Sequence, residues 1–99
     1  MAFRIIWSET AVEDLKEIVL FIARDNQEAA AKLAGRILYH IERAADMPHS
    51  HRIVLEKSDH TIRESILKPY RLIYRVDNDR NAIYILRIWH ASRGIPNIG

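Results

Sequence analysis

Cysteine is absent from this chain of 99 residues, which excludes a disulfide framework, thiolate chemistry and cysteine-ligated zinc, and suits a reducing compartment. No run of 18 apolar residues is present, so no membrane-spanning helix is expected. The start, M-A-F-R-I-I-W-S-E-T, is too short in apolar length for a signal peptide. With only three glycines there is no glycine-rich phosphate loop, and H-E-x-x-H is missing as well. His49 and His51 stand in H-S-H without a third ligand at a recognisable spacing, and they read as part of an exposed loop. No metal and no cofactor are expected. What the chain does have is an apolar fraction of 48 %, enough for a core. The expectation is one domain over residues 1–99, in the cytoplasm and without a membrane partner.

Charge is divided unevenly. Residues 1–51 carry six Lys/Arg against eight Asp/Glu, whereas residues 52–99 carry nine against five. Four of the five histidines lie from His49 onward. A basic half favours a polyanion or an acidic protein partner.

Periodicity orders the elements. Phe3, Ile5 and Trp7 alternate as a short strand. Ser8 or Thr10 then offers a helix cap, with Thr10 and Glu13 at capping-box spacing. Ala11, Leu15, Ile18, Val19 and Ile22 form one helical stripe, which places Glu13, Asp14, Lys16 and Glu17 on the other side. Asp25-Asn26 turns the chain. Ala30, Leu33, Ala34, Ile37, Leu38 and Ile41 define a second helix that must end before Pro48. Gly35 within it costs roughly 1 kcal/mol in propensity, and close packing on the first helix is the expected compensation. Residues 9–46 therefore read as an antiparallel helical hairpin.

After the loop M-P-H-S-H-R (47–52) come four strand-like runs, 53–56, 60–67, 70–76 and 82–89. A turn at 77–81 joins the last two, and Pro69 sits at a strand start. The fold class is α+β: an N-terminal strand, a helical hairpin, then a three- to four-stranded, mainly antiparallel sheet with the helices on one face. Alternation puts Tyr84, Leu86, Ile88 and His90 on one side of the last strand, and Ile83, Ile85, Arg87 and Trp89 on the other.

Arginines inside strand-forming runs are the chain's oddity, because an unpaired buried guanidinium is expensive. Arg63, Arg71, Arg75 and Arg87 all occur this way, and the expectation is a sheet face open to solvent or to an anionic partner. His90 reads either as a strand-end residue bonded to backbone or as a proton donor and acceptor near neutral pH. Metal-free RNA cleavage needs a base, a leaving-group acid and cations around the phosphorane-like transition state. His90, Arg71, Arg63 and Glu64 are the candidate catalytic set, with Glu64 read as a base or as a salt-bridge partner. Arg52, Arg75, Arg87 and Arg93 are candidates for binding RNA or an acidic partner.

Trp7, Ser8, Ala11, Asp14, Leu15 and Ile18, in W-S-x-x-A-x-x-D-L-x-x-I, resemble the N-terminal signature of the RelE/ParE superfamily of toxins. So do M-P-H-S-H-R at 47–52, R-E at 63–64, Y-R-L-I-Y-R-V at 70–76 and I-x-x-I-W-H-x-x-R from Ile85 to Arg93. The resemblance spans nearly the whole chain and leans to the ParE-like, plasmid-stabilisation members. It implies a growth-inhibiting toxin of a type II toxin–antitoxin module. Its implied partners are a small acidic antitoxin encoded in the same operon and DNA gyrase as target. The alternative it implies is a RelE-like, metal-independent endoribonuclease that cuts mRNA on the ribosome. A second alternative is an inactive, antitoxin-binding relative. Arg63, Arg71, His90 and Arg93 fall where ribonuclease members place phosphate-binding and catalytic groups. The C-terminal aromatic common in those members is missing after Arg93.

Overall fold

In the computed structural model, which describes residues 2–98, a two-helix layer packs on one face of a five-stranded sheet. The elements are β1 (Arg4–Trp7), α1 (Glu9–Ala23), α2 (Gln27–Asp46), β2 (Arg52–Ile53), β3 (Ile62–Leu67), β4 (Tyr70–Asp77) and β5 (Ala82–His90). One-turn 3₁₀ helices at Pro48–Ser50 and Ala91–Arg93 follow α2 and β5. The sheet order is β1-β5-β4-β3-β2. The α+β class and the hairpin agree with the sequence reading. The N-terminal strand joins the sheet, parallel to β5, while every other pair is antiparallel. The strand expected at 53–56 shrinks to Arg52–Ile53, and the chain from 54 to 61 crosses the sheet as loop.

Ser8 joins strand to helix. Its N–H donates to the Ile85 carbonyl at 3.0 Å, ending β1 on β5. Its hydroxyl accepts from the Ala11 N–H at 3.0 Å, capping α1, and donates to the Leu86 carbonyl at 3.2 Å. Leu86 is a bulge, since Ile73 pairs with Arg87 and Tyr74 already pairs with Ile85. That one extra residue overturns the expected alternation. Ile83, Ile85 and Ile88 all enter the core under the helices, and Leu86 packs with Trp89 on the opposite side.

The main core joins Ala11, Ile37, Ile41, Leu72, Tyr74 and the three β5 isoleucines. Leu38, expected in it, is 42 % exposed, and the hairpin also shows Leu20 and Phe21 to solvent. Gly35 is exposed, and a Cβ built on it meets nothing within 4 Å, so close helix approach does not explain it. Gly35→Ala is therefore expected to stabilise the protein by about 0.5–1 kcal/mol. A rise in urea midpoint at unchanged slope would register this, and a fall would mean hidden crowding at that turn.

The sheet face away from the helices is less open than its arginines suggested. Val54, Ile62, Ile73, Trp89 and Ile98 form a second, smaller core there. The loop after β2 and the tail after residue 93 cover it. Carboxylates drawn from α1, β3 and the loop after β2 pair with Arg52, Arg71 and Arg87.

Candidate functional site

β4 presents Arg71, Ile73 and Arg75 on this second face. The register sets Ile66 and Trp89 on either side of Arg71, and Glu64 and Arg87 on either side of Ile73. Glu64 has no exposed side-chain surface, and its two oxygens take two guanidinium groups. The Arg52 Nε donates to one, and the Arg71 Nε donates to the other at 2.6 Å. Arg71 then turns its two remaining nitrogens outward, where both donate to Glu56 in a bidentate pair at 2.9 and 2.8 Å. That pairing holds the Glu56 carboxyl down at about 2, with burial opposing it only partly. The same bonds, with Glu56 first, push the Arg71 guanidinium further into its charged range. The result is a neutral chain of four charges, Arg52–Glu64–Arg71–Glu56.

Arg87 is held by helix α1. Asp14 lies buried where β1 has ended and the edge of β5 is exposed. Its Oδ2 accepts from the Arg87 Nε at 2.8 Å and from the Ile88 N–H at 3.0 Å, and its Oδ1 accepts from Nη2 at 2.9 Å. The Arg87 Nη1 donates to the Asn97 carbonyl at 2.7 Å. Hydrogen bonding to Asp14 raises the Arg87 pKa. Asp14, expected on the solvent side of α1, is thus 6 % exposed. The guanidinium also stacks on Trp89, 4.8 Å from the ring centroid, and Arg93 lies 4.3 Å from the same ring.

His90 and Arg63 point elsewhere. His90 packs edge-on against Tyr70 at 5.4 Å between ring centroids. Its Nδ1 accepts from the Ser92 N–H at 3.1 Å, which leaves Nε2 to carry the proton of the neutral ring. Both line a cleft of about 400 Å³ with Ile18, Phe21 and Ile22 of α1 and with Arg93 at its rim. Burial raises the Tyr70 hydroxyl pKa. Arg63 lies beside Tyr74 and donates from Nη1 to the His49 and His51 carbonyls, both at 2.9 Å. The Tyr74 hydroxyl donates to the Pro48 carbonyl at 2.7 Å. Together they pin the 47–52 loop, while His49 bonds Asn78 through Nε2. Among the described residues, no three His, Asp or Glu side chains stand close enough to share a metal.

The candidate catalytic set therefore divides. Arg71 and Glu64 meet on one sheet face and are bonded to each other. Arg63 is paired with Tyr74 and His90 with Tyr70, positions four residues apart on β4. At about 3.3 Å per residue that is roughly 13 Å along the strand, with β3 and β5 on opposite flanks. One phosphate cannot touch both. Of the candidate binding arginines, Arg52 and Arg87 are ion-paired, whereas Arg75 and Arg93 are exposed and form no salt bridge among the described residues.

Asp14 and Glu56 were the partners that sequence reasoning missed. Asp14 stands three residues after Ala11 and four before Ile18, on the apolar stripe itself. That position was the available signal. Glu56 left no such trace, because the run 53–56 reads as strand, whereas the strand ends at Ile53 and Glu56 stands in the loop that follows.

Comparison with known proteins follows the same lines. A profile described as "ParE toxin of type II toxin-antitoxin system, parDE" matches residues 5–95. A Sinorhizobium fredii protein named "Putative toxin Y4kP" is 34 % identical over 97 residues, covering 96 % of this chain and 95 % of that one. Among solved structures, one titled as the chromosomal ParDE TA system from P. aeruginosa superposes with a TM-score of 0.71. It is 21 % identical and covers 90 % of this chain and 96 % of the other. The toxin–antitoxin complex RelBE2 of Mycobacterium tuberculosis gives 0.70 at 18 % identity, covering 91 % and 92 %. A mutant of E. coli toxin RelE in the free state gives 0.61 at 14 %, covering 95 % and 88 %. At these identities the structures speak for the fold.

Proposed function

The chain belongs to the ParE toxin family of type II toxin–antitoxin systems, and from that premise we propose that it arrests growth by acting on DNA gyrase. The observation that carries the reading is the division of the four residues a ribonuclease would need. Arg71 and Glu64 neutralise each other, while Arg63 and His90 lie apart on different elements. A phosphorane-like transition state needs cations and a proton donor around one phosphate. This arrangement offers instead a sheet face cross-braced by ion pairs, with Arg75 and Arg93 exposed. A protein-binding toxin has use for such a rigid surface. The proposed partners are a small acidic antitoxin from the same operon and gyrase, both met in the cytoplasm.

One feature favours the ribonuclease reading: His90 opens onto a cleft with Arg93 at the rim. The two readings separate in one experiment. Induced expression in a bacterium should stop growth, break double-stranded DNA and raise the SOS response, while primer extension finds ribosome-bound mRNA uncut. Purified protein should inhibit supercoiling by gyrase, and His90→Ala should inhibit equally. New mRNA ends that vanish in His90→Ala would overturn the gyrase reading in favour of cleavage. Normal growth with abundant folded protein would point to the inactive, antitoxin-binding relative.

A further inference from the structure

We infer that the outward edge of the Arg71 guanidinium is a carboxylate-binding site which the chain fills with its own Glu56, and that an acidic segment of the antitoxin displaces Glu56 there. The inference rests on the reading that this chain has an acidic protein partner. Arg71 uses its nitrogens in two ways. Nε faces inward to the fully buried Glu64, while Nη1 and Nη2 face outward to Glu56, whose side chain is 29 % exposed. The inner partner belongs to β3. The outer one belongs to the 54–61 loop, and its carboxylate has no other side-chain hydrogen bond among the described residues. Its neighbour Leu55 is 84 % exposed, so the loop is anchored by the buried Val54 and not by packing of the residue beside Glu56.

Charge makes the position selective. Arg52 and Arg71 are balanced by Glu56 and Glu64, and lifting Glu56 away leaves one uncompensated positive charge. Arg93 adds a second cation nearby, because it stacks on Trp89, which is the cross-strand partner of Arg71. The surroundings choose the kind of anion. Ile66, 40 % exposed, stands beside Arg71 on β3, and Leu55, 84 % exposed, immediately precedes Glu56, so exposed apolar side chains accompany the fork. Trp89 is only 4 % exposed and offers no platform for a nucleic-acid base. A carboxylate carried between apolar side chains fits this better than a phosphate backbone. Glu56 then acts as an internal competitor: it keeps Arg71 satisfied in the free protein, and its displacement lowers the affinity for the partner.

Fluorescence anisotropy with a labelled hexapeptide of alternating Leu and Glu, and with a labelled hexauridylate as the phosphate probe, tests this on the intact protein. Glu56→Gln should bind the peptide about tenfold more tightly than the parent chain, with the gain shrinking at high salt. Adding Arg71→Gln should abolish the gain. Adding Arg93→Gln, on an exposed residue that leaves the Glu64 pairs intact, should reduce it. Equal peptide affinity for Glu56→Gln and the parent overturns the inference, as does a gain that survives loss of Arg71. A gain for hexauridylate alone overturns the acidic-peptide assignment and makes the fork a nucleic-acid site. Failure of the parent chain to bind its operon's antitoxin would overturn the partner reading, and the peptide comparison reads the fork independently of it. Gyrase supercoiling measured on the same variants keeps the toxic activity as a separate result.

Discussion

Replacing Asp14 with alanine is expected to cost about 3–5 kcal/mol of folding stability, the range for removing one partner of a buried ion pair. The carboxylate receives three hydrogen bonds, two from Arg87 and one from the Ile88 N–H. Without it, a guanidinium only 12 % exposed retains the Asn97 carbonyl alone, and a buried strand N–H loses its acceptor. A domain of this size has roughly 5–15 kcal/mol to lose, so the variant should sit near its unfolding threshold at 37 °C. Urea denaturation measures the loss directly. Adding Arg87→Leu should recover part of it by removing the stranded charge, but not the part due to Ile88. A loss below about 1 kcal/mol would show that Asp14 is not the bond between α1 and β5 described above.

Glu64→Ala is expected to cost less, about 1–3 kcal/mol, although Glu64 is more deeply buried. The difference lies in what each removal strands. Arg71 retains the bidentate Glu56, and Arg52 has a side chain 57 % exposed that can turn to water. What is lost is two inward bonds and the volume of the carboxylate beside Ile73. Measured under the same denaturant conditions, Asp14→Ala should exceed Glu64→Ala. The reverse order would mean that the four-charge chain, and not the α1–β5 bond, is the main polar brace. In the Glu64 variant Glu56 becomes the only carboxylate bonded to Arg71, so acidification towards pH 2 should remove the stability that this pair contributes. The sign follows from the depressed carboxyl: its contribution is full above the unfolded-state pKa and lost as pH falls through the folded-state value.

Much of the architecture could be read from residue patterns, since each helix carries one stripe and Asp77–Ala82 marks its hairpin. The failures share a cause. Alternation counts residues, and a bulge at Leu86 adds one without changing composition, so every face assignment across it inverts. Leu38 neighbours Ile37 on α2, but Ile37 and Ile41 take the positions facing the sheet and Leu38 turns away from it, 42 % exposed. The arginine-rich face stands out in the sequence, and the structure gives it a different explanation. Unpaired arginines in strands imply an open face, but Arg71 and Arg87 are paired with carboxylates, from positions up to 73 residues away, and Arg75 alone fits that expectation. Local patterns carry no signal over that distance. The candidate catalytic set was chosen by residue type, and type says nothing about which face of which strand a side chain leaves from. Arg63 and Arg71 are eight residues apart, yet one pins the 47–52 loop and the other joins the opposite face.

The sheet order also sets a timetable. β5 lies between β1 and β4 and is the last strand in the chain. Among the described residues β1 pairs with β5 and with no other strand, so it waits for a strand that is made much later. Until residues 82–90 have left the ribosome, Ser8 has no Ile85 or Leu86 carbonyl to meet, and Asp14 has neither Arg87 nor the Ile88 N–H. The helical hairpin can form early from local contacts, but its apolar stripe has little of its sheet to cover. Docking of β1 and α1 on the sheet therefore waits for β5. A nascent chain can pair β2, β3 and β4 before that point, but it cannot place β1 or bond Asp14 until β5 has emerged.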